Sequence, residues 1–234
     1  MQSSRVLLVV TSSATMGTSP NPTGAWLEEV AAPYYAFKDA RCSITVASPK
    51  GGAMPLDPKG AEEANQTAST RRFEADVKAR DAILNTKKLS EVNPADYDAV
   101  FFAGGHGTMD DFPTDASVKA TVEDLFRAGK PVASVCHGPA CLVQATDSKG
   151  ESVVKGRRFT CFSDAEETAI GAHVHVPFML ETRLRELGGT PQQAGLFESN
   201  TVVDGHLITG QNPASSIPVA EALIAQLRKA ALAA

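Results

Sequence analysis

PVASVCHGPA (131–140) carries a run of small and apolar residues straight into a cysteine, followed at once by histidine, glycine and proline. The run is continuous rather than alternating, which reads as a strand covered on both faces, as in a parallel sheet. The same texture recurs in RVLLVV (5–10), SITVAS (43–48), AVFFAG (99–104) and RFTCF (158–162). Helical patterns lie between these runs. TGAWLEEVAAPYYAFKDA follows the first, with Pro33 expected to kink or end its helix. DASVKATVEDLFRAG follows the third, with Asp115 as N-cap and Gly129 as the glycine past the helix end. VPFMLETRLRELGG and PASSIPVAEALIAQLRKAALAA are amphipathic. Alternation of this kind predicts a doubly wound α/β fold, a mainly parallel sheet sandwiched by helices.

Two stretches break the rhythm. Residues 51–95 are polar with scattered apolar anchors, and read as an insertion lying over the carboxyl edge of the sheet. TVVDGHLITG sets Asp204-Gly205 between two short apolar runs, which predicts a C-terminal hairpin forming edge strands beside the parallel sheet.

The chain has 234 residues, 43% hydrophobic and 21% charged, an ordinary globular composition and consistent with one domain over 1–234. Its net charge of −5 provides no basic field for nucleic acid or an anionic membrane surface. Val6–Val10 is too short for a signal-peptide core or a membrane span, so a cytoplasmic, reducing setting is expected. The four cysteines, 42, 136, 141 and 161, lack the spacing of a zinc site, and no metal is expected. His173 and His175, one residue apart, have no partner placed by the sequence and are read as structural or surface residues.

A strand that ends on Cys136 and turns through His137, Gly138 and Pro139 has the shape of a nucleophile elbow, which exposes a side chain at the top of a sheet. A following helix N-terminus would favour thiolate over thiol. Cys141 and Cys161 fall within apolar patterns and are assigned to packing. In FFAGGHGTMDDFP (101–113), Gly104 and Gly105 end a strand in an open turn whose amides could face a developing oxyanion, with His106 lining the site.

Together, VCHGPA, FFAGGHGTMDDFP, TGAWLEEV, FSDAEE and TGQNPASS resemble the PfpI / class I glutamine-amidotransferase-like superfamily. Within it they are most similar to the heat-shock-thirty-one-type branch of glutathione-independent glyoxalases (glyoxalase III). The resemblance runs in order through nearly the whole chain and implies a flavodoxin-like fold. It implies Cys136 as nucleophile, His137 beside it, and an acid from the first helix at Glu29, with Glu28 facing outward. It also implies an acid that orients the histidine, Glu167 by alignment on Phe162 and Asp164, with Glu166 and Asp164 open alternatives. A homodimer is the family's common state.

The chemistry stands apart from the family name. A cysteine sulfur adds reversibly to an aldehyde, and a nearby carboxylate or imidazole moves a proton between the carbons of a 2-oxoaldehyde through an enediol. Hydrolysis of the thioester then releases a 2-hydroxy acid, lactate from methylglyoxal. No redox cofactor is required, no dinucleotide fingerprint or Walker loop is present, and none is expected. The substrate is small, in a site crowded by Trp26, His106 and the insertion. Ammonia transfer is disfavoured because no downstream histidine is followed two residues later by glutamate. A peptidase or amidase remains an alternative, as does a holdase chaperone with an oxidisable Cys136.

Overall fold

The computed structural model describes residues 3–233. In chain order its strands are β1 (Arg5–Val9), β2 (Ser43–Ser48), β3 (Lys87–Lys88), β4 (Ala99–Phe102), β5 (Val132–Val135), β6 (Arg158–Phe159), β7 (Thr190–Pro191), β8 (Thr201–Asp204) and β9 (Leu207–Gly210). Seven of them form one sheet in the order β3-β2-β1-β4-β5-β9-β8, every neighbouring pair parallel except β8 with β9. The helices are α1 (Leu27–Asp39), α2 (Ala68–Ala75), α3 (Val77–Leu84), α4 (Thr108–Asp111), α5 (Ala116–Arg127), α6 (Asp164–Ala169), α7 (Leu180–Glu186) and α8 (Ser216–Ala233).

Alternate residues of each strand feed opposite cores, as the pleat requires. Val6, Leu8, Phe101 and Ile208 pack against α1 and α8 through Val30, Phe37, Val219 and Leu223. Leu7, Val9, Val100, Phe102 and Val132 pack against α5 and α7 through Val118, Val122, Leu125 and Leu184. Both faces of the central strands are therefore apolar, which explains their unbroken hydrophobic sequence. Strand order reverses at β1, with β2 on one side and β4 on the other, and the carboxyl ends there are where ligands of open α/β sheets bind.

The structure corrects four expectations. RFTCF (158–162) is not a strand of the main sheet. Only Arg158–Phe159 is extended, and it pairs with β7 in a separate two-stranded sheet. Phe159 and Cys161 are buried because the segment covers the end of the main sheet, with Thr160 N–H donating to Thr209 Oγ1 and Phe162 N–H to Cys136 O. Pro33 does not end α1, which continues to Asp39. The C-terminal hairpin places only β8 at an edge, since β9 pairs with β5 as well. The segment after Cys136 is a five-residue 3-10 turn, Gly138–Leu142, rather than an α-helix.

Residues between β2 and β4 do more than cover the sheet edge. They add β3 to it, and Phe73 of α2 packs edge-on against Tyr34 and Tyr35 of α1. Asp115 caps α5 by accepting from the Ser117 and Val118 amides, and Gly129 follows its end with φ of +65°. Among the described residues no helix is long and apolar enough to cross a membrane.

Candidate active site

Four chain segments meet above the carboxyl ends of β1, β4 and β5. Cys136 follows β5 with φ of +59°, a left-handed conformation that costs a non-glycine residue about 1–3 kcal/mol unless its surroundings impose it. Cys136 N–H donates to Gly210 O and its carbonyl accepts from Phe162 N–H, so both sides of the residue are pinned. The sharp turn presents Sγ 3.3 Å from His137 Nδ1.

His137 is bound at its other nitrogen. Nε2 lies 2.6 Å from Glu167 Oε2, while His106 Nε2 lies 2.7 Å from the other oxygen of the same carboxylate. Burial works to raise the Glu167 carboxyl, but the two imidazoles overcome it and hold the group well below the usual carboxylate range. An ionised carboxylate only accepts, so each histidine donates from Nε2. Burial, with His106 beside it, lowers the His137 value despite Glu167, so the ring is neutral near pH 7 and its Nδ1 is an open base facing sulfur. The two imidazole rings are 4.0 Å apart, and Phe162 covers His137 at 4.7 Å.

Glu29 projects from α1 into the same space with none of its surface exposed. Its oxygens face the Cys136 thiol and the Gly104 N–H without a full hydrogen bond to any described residue. Burial, against the pull of those two donors, pushes its carboxyl up to about 8, so Glu29 carries its proton at neutral pH. Burial also raises the Cys136 thiol, and the surrounding carboxylates Glu29, Glu166 and Glu167 add to the effect. The expected helix-activated thiolate is therefore corrected: these surroundings favour the thiol, with the neutral His137 imidazole as the nearest base. Cys141 and Cys161 are also buried and raised, with no acid–base partner.

Gly104 and Gly105 permit this crowding. A Cβ on Gly104 would lie 2.3 Å from Glu29 Oε2 and 2.5 Å from Val135 O, and one on Gly105, at φ of +97°, would lie 2.3 Å from Gly24 O. Trp26 N–H donates to Gly104 O, and its ring lies beside Gly60 of the segment after β2. Glu28 does not face solvent freely; it is half-buried and accepts from Thr67, the N-cap of α2.

Glu166 and Asp164, the alternatives to Glu167, point elsewhere. Glu166 is fully buried and accepts from Ser163 N–H, Ser163 Oγ, Phe197 N–H and Asn212 Nδ2. Asp164 accepts from Thr182 on α7. Asn212 lies in the TGQNPASS stretch, where composition alone assigned it no task. Phe197, held at φ of +60° with its ring 6.4 Å from Phe162, carries no sequence signal. His106, His137 and Glu167 offer donor atoms within 4.8 Å of one another, but hydrogen bonds already occupy both Nε2 atoms and both oxygens, and we assign them no metal.

A cysteine elbow at the carboxyl edge of a doubly wound sheet, with a histidine and two acids gathered around it, defines a class of α/β proteins. Residues 23–226 match the DJ-1/PfpI family, and the chain belongs to it. It is 30% identical to "Glyoxalase 3" of Candida albicans over 238 residues, covering 94% of this chain and 97% of that protein. The crystal structure of glyoxalase III from Candida albicans superposes with a TM-score of 0.86 at 29% identity, covering 95% of this chain and 96% of that one. The X-ray structure of Rapid Encystment Protein 24 KDa from Francisella tularensis gives 0.91 at 37% identity, covering 96% and 99%.

Proposed function

We propose that this chain is a glutathione-independent glyoxalase, a cofactor-free, cysteine-dependent lyase of the glyoxalase III type that converts methylglyoxal to lactate and so removes reactive carbonyls. The observation that carries the reading is the protonated, fully buried Glu29 beside a thiol whose other neighbour is a neutral imidazole. A hydrolase needs a nucleophile and a base. An isomerase also needs an acid that can return as a base, and Glu29 fits that task.

Cys136 sulfur bonds to the aldehyde carbon while its proton passes to His137 Nδ1, and Glu29 protonates the aldehyde oxygen. The Glu29 carboxylate then takes the hydrogen of that carbon. The bond pair becomes a carbon–carbon double bond, and the second oxygen takes the proton from His137, giving the enediol. Reversal on the other side returns the first hydroxyl proton to His137 and the Glu29 proton to the second carbon, leaving a thioester on Cys136. Water releases lactic acid, sulfur recovers its proton from His137, and the proton that water gives up restores the Glu29 carboxyl. Glu167 orients His137, and the Gly104–Gly105 turn faces the oxygens.

Relatives named as glyoxalases support the reading, including "Glutathione-independent glyoxalase HSP31" of Saccharomyces cerevisiae. A peptidase or amidase is less well supported, because Cys136 is only 4% exposed and a polypeptide would have to reach it. We further take the chain as one PfpI-type domain over 1–234, with 51–95 inserted, acting in the cytoplasm as a homodimer. The test is lactate formation from methylglyoxal by the purified protein without glutathione, lost in Cys136→Ser. No lactate from the wild-type chain overturns it.

A further inference from the structure

Resting on that glyoxalase reading, we infer that His106, anchored by Glu167, is the base that activates water to hydrolyse the Cys136 thioester. The cycle above leaves one task without an owner. Water must enter and lose a proton at a carbon bonded to a buried sulfur, while His137 still holds the proton that sulfur will need on leaving. Cys136, His137, Glu29 and Glu167 are all at most 4% exposed. His106 keeps 15% of its side chain exposed and is the group of this cluster that touches solvent.

Its bonding suits the task. Nε2–H is spent on Glu167 Oε1 at 2.7 Å, which fixes the ring and its tautomer and leaves Nδ1 as a lone pair with no partner among the described residues. This repeats at solvent the arrangement His137 makes at sulfur, where Nε2 binds Glu167 Oε2 and Nδ1 faces Sγ. One carboxylate thus serves two imidazoles with separate work. His106 also directly follows the Gly104–Gly105 turn, and its ring lies 4.0 Å from that of His137, next to the acylated sulfur.

The step balances. Water oxygen bonds to the thioester carbon as one of its protons moves to His106 Nδ1, and the carbonyl pair moves onto oxygen. Collapse breaks the carbon–sulfur bond, and the pair on sulfur takes the proton from His137. His106 passes its proton on through solvent to restore the Glu29 carboxyl, and the acid product ionises. No oxidant, reductant or further reactant enters.

The test is His106→Gln, whose side-chain amide can still donate to Glu167, loaded with methylglyoxal, rapidly freed of excess dicarbonyl, and then left alone or treated with hydroxylamine. General-base groups supply about 10²–10⁴-fold, and a loss of steady-state lactate formation in that range is expected. A first-turnover burst should remain, with a Cys136 adduct that hydroxylamine converts to lactohydroxamate at close to the wild-type rate. Imidazole should partly restore His106→Ala. A merely structural role predicts instead that the burst and the hydroxamate fall together with turnover, and that outcome overturns the inference. So does near-normal lactate formation by His106→Gln beside an active wild-type chain. Absence of lactate from the wild-type chain overturns the glyoxalase reading itself, and this inference with it.

Discussion

No side chain fits between Gly104 and Glu29: a Cβ on residue 104 would stand 2.3 Å from Glu29 Oε2. The remaining contacts are backbone, Val135 O at 2.5 Å and His137 N at 2.9 Å, and neither can swing away. Gly104→Ala should therefore displace Glu29 or the elbow. Overpacking of this kind costs about 1–3 kcal/mol, and a displacement near 1 Å at reacting groups costs roughly 10²-fold in rate. Melting temperature and methylglyoxal turnover should both fall, and a variant with wild-type turnover would show that the turn has slack.

Glu29 should leave a signature in the pH dependence of stability. Its carboxyl is raised from 4.5 to about 8, so between those values the folded chain holds a proton that the unfolded chain releases. Stability from this group is fully present below 4.5 and is lost as pH rises through about 8. In Glu29→Gln that decline should vanish, which denaturant titrations at several pH values would detect. Equal slopes in both proteins would mean that Glu29 is not held protonated. Lactate formation by Glu29→Gln should drop by about 10²–10⁴-fold, while a Cys136 adduct still forms.

Glu166 and Glu167 should separate cleanly. Each oxygen of Glu166 accepts from a backbone N–H that cannot turn into an acceptor, Ser163 on one side and Phe197 on the other, with Asn212 Nδ2 beside the latter. Glu166→Gln must set an amide N–H against one of them, at about 1–3 kcal/mol for the unsatisfied groups. Glu167→Gln can keep one imidazole bond but removes the charge that anchors both rings. The first variant should lose mainly thermal stability and the second mainly turnover. The opposite pattern would exchange their roles.

Among the cysteines, Cys136→Ala should abolish turnover with the fold intact. Cys141→Ala and Cys161→Ala, at 2% and 0% exposure, should instead cost about 1 kcal/mol each and keep activity. Loss of turnover in all three at unchanged melting temperature would remove Cys136 from its special place.

The central strands were legible because burial on both faces leaves an unbroken apolar run, as in Val6–Val10 and Ala99–Ala103. The same signal misled at 158–162, since Phe159 and Cys161 are buried by capping the sheet rather than by joining it. Apolar runs report burial, and ladder partners are set elsewhere in the chain. Lys87–Lys88 was invisible as a strand, being two exposed charged residues whose pairing depends on Ala47 and Ser48. At the site, the elbow was readable from Cys136 to Pro139, whereas the double use of Glu167 was not. His106 and Glu167 are 61 positions apart, and only the fold brings them within 2.7 Å.

The two margins of the sheet bear on how copies of this chain associate. At one margin β3 offers a pair of exposed lysines and only two residues of strand, a poor template for another backbone. At the other, Asp204 of β8 accepts from Arg158 N–H, and Val203 O accepts from the Arg158 guanidinium, so β6 already stands against that side. Strand-to-strand addition, the route by which sheets zip into larger aggregates, is thus obstructed at both ends, which leaves helix faces and loops as the surfaces open to association.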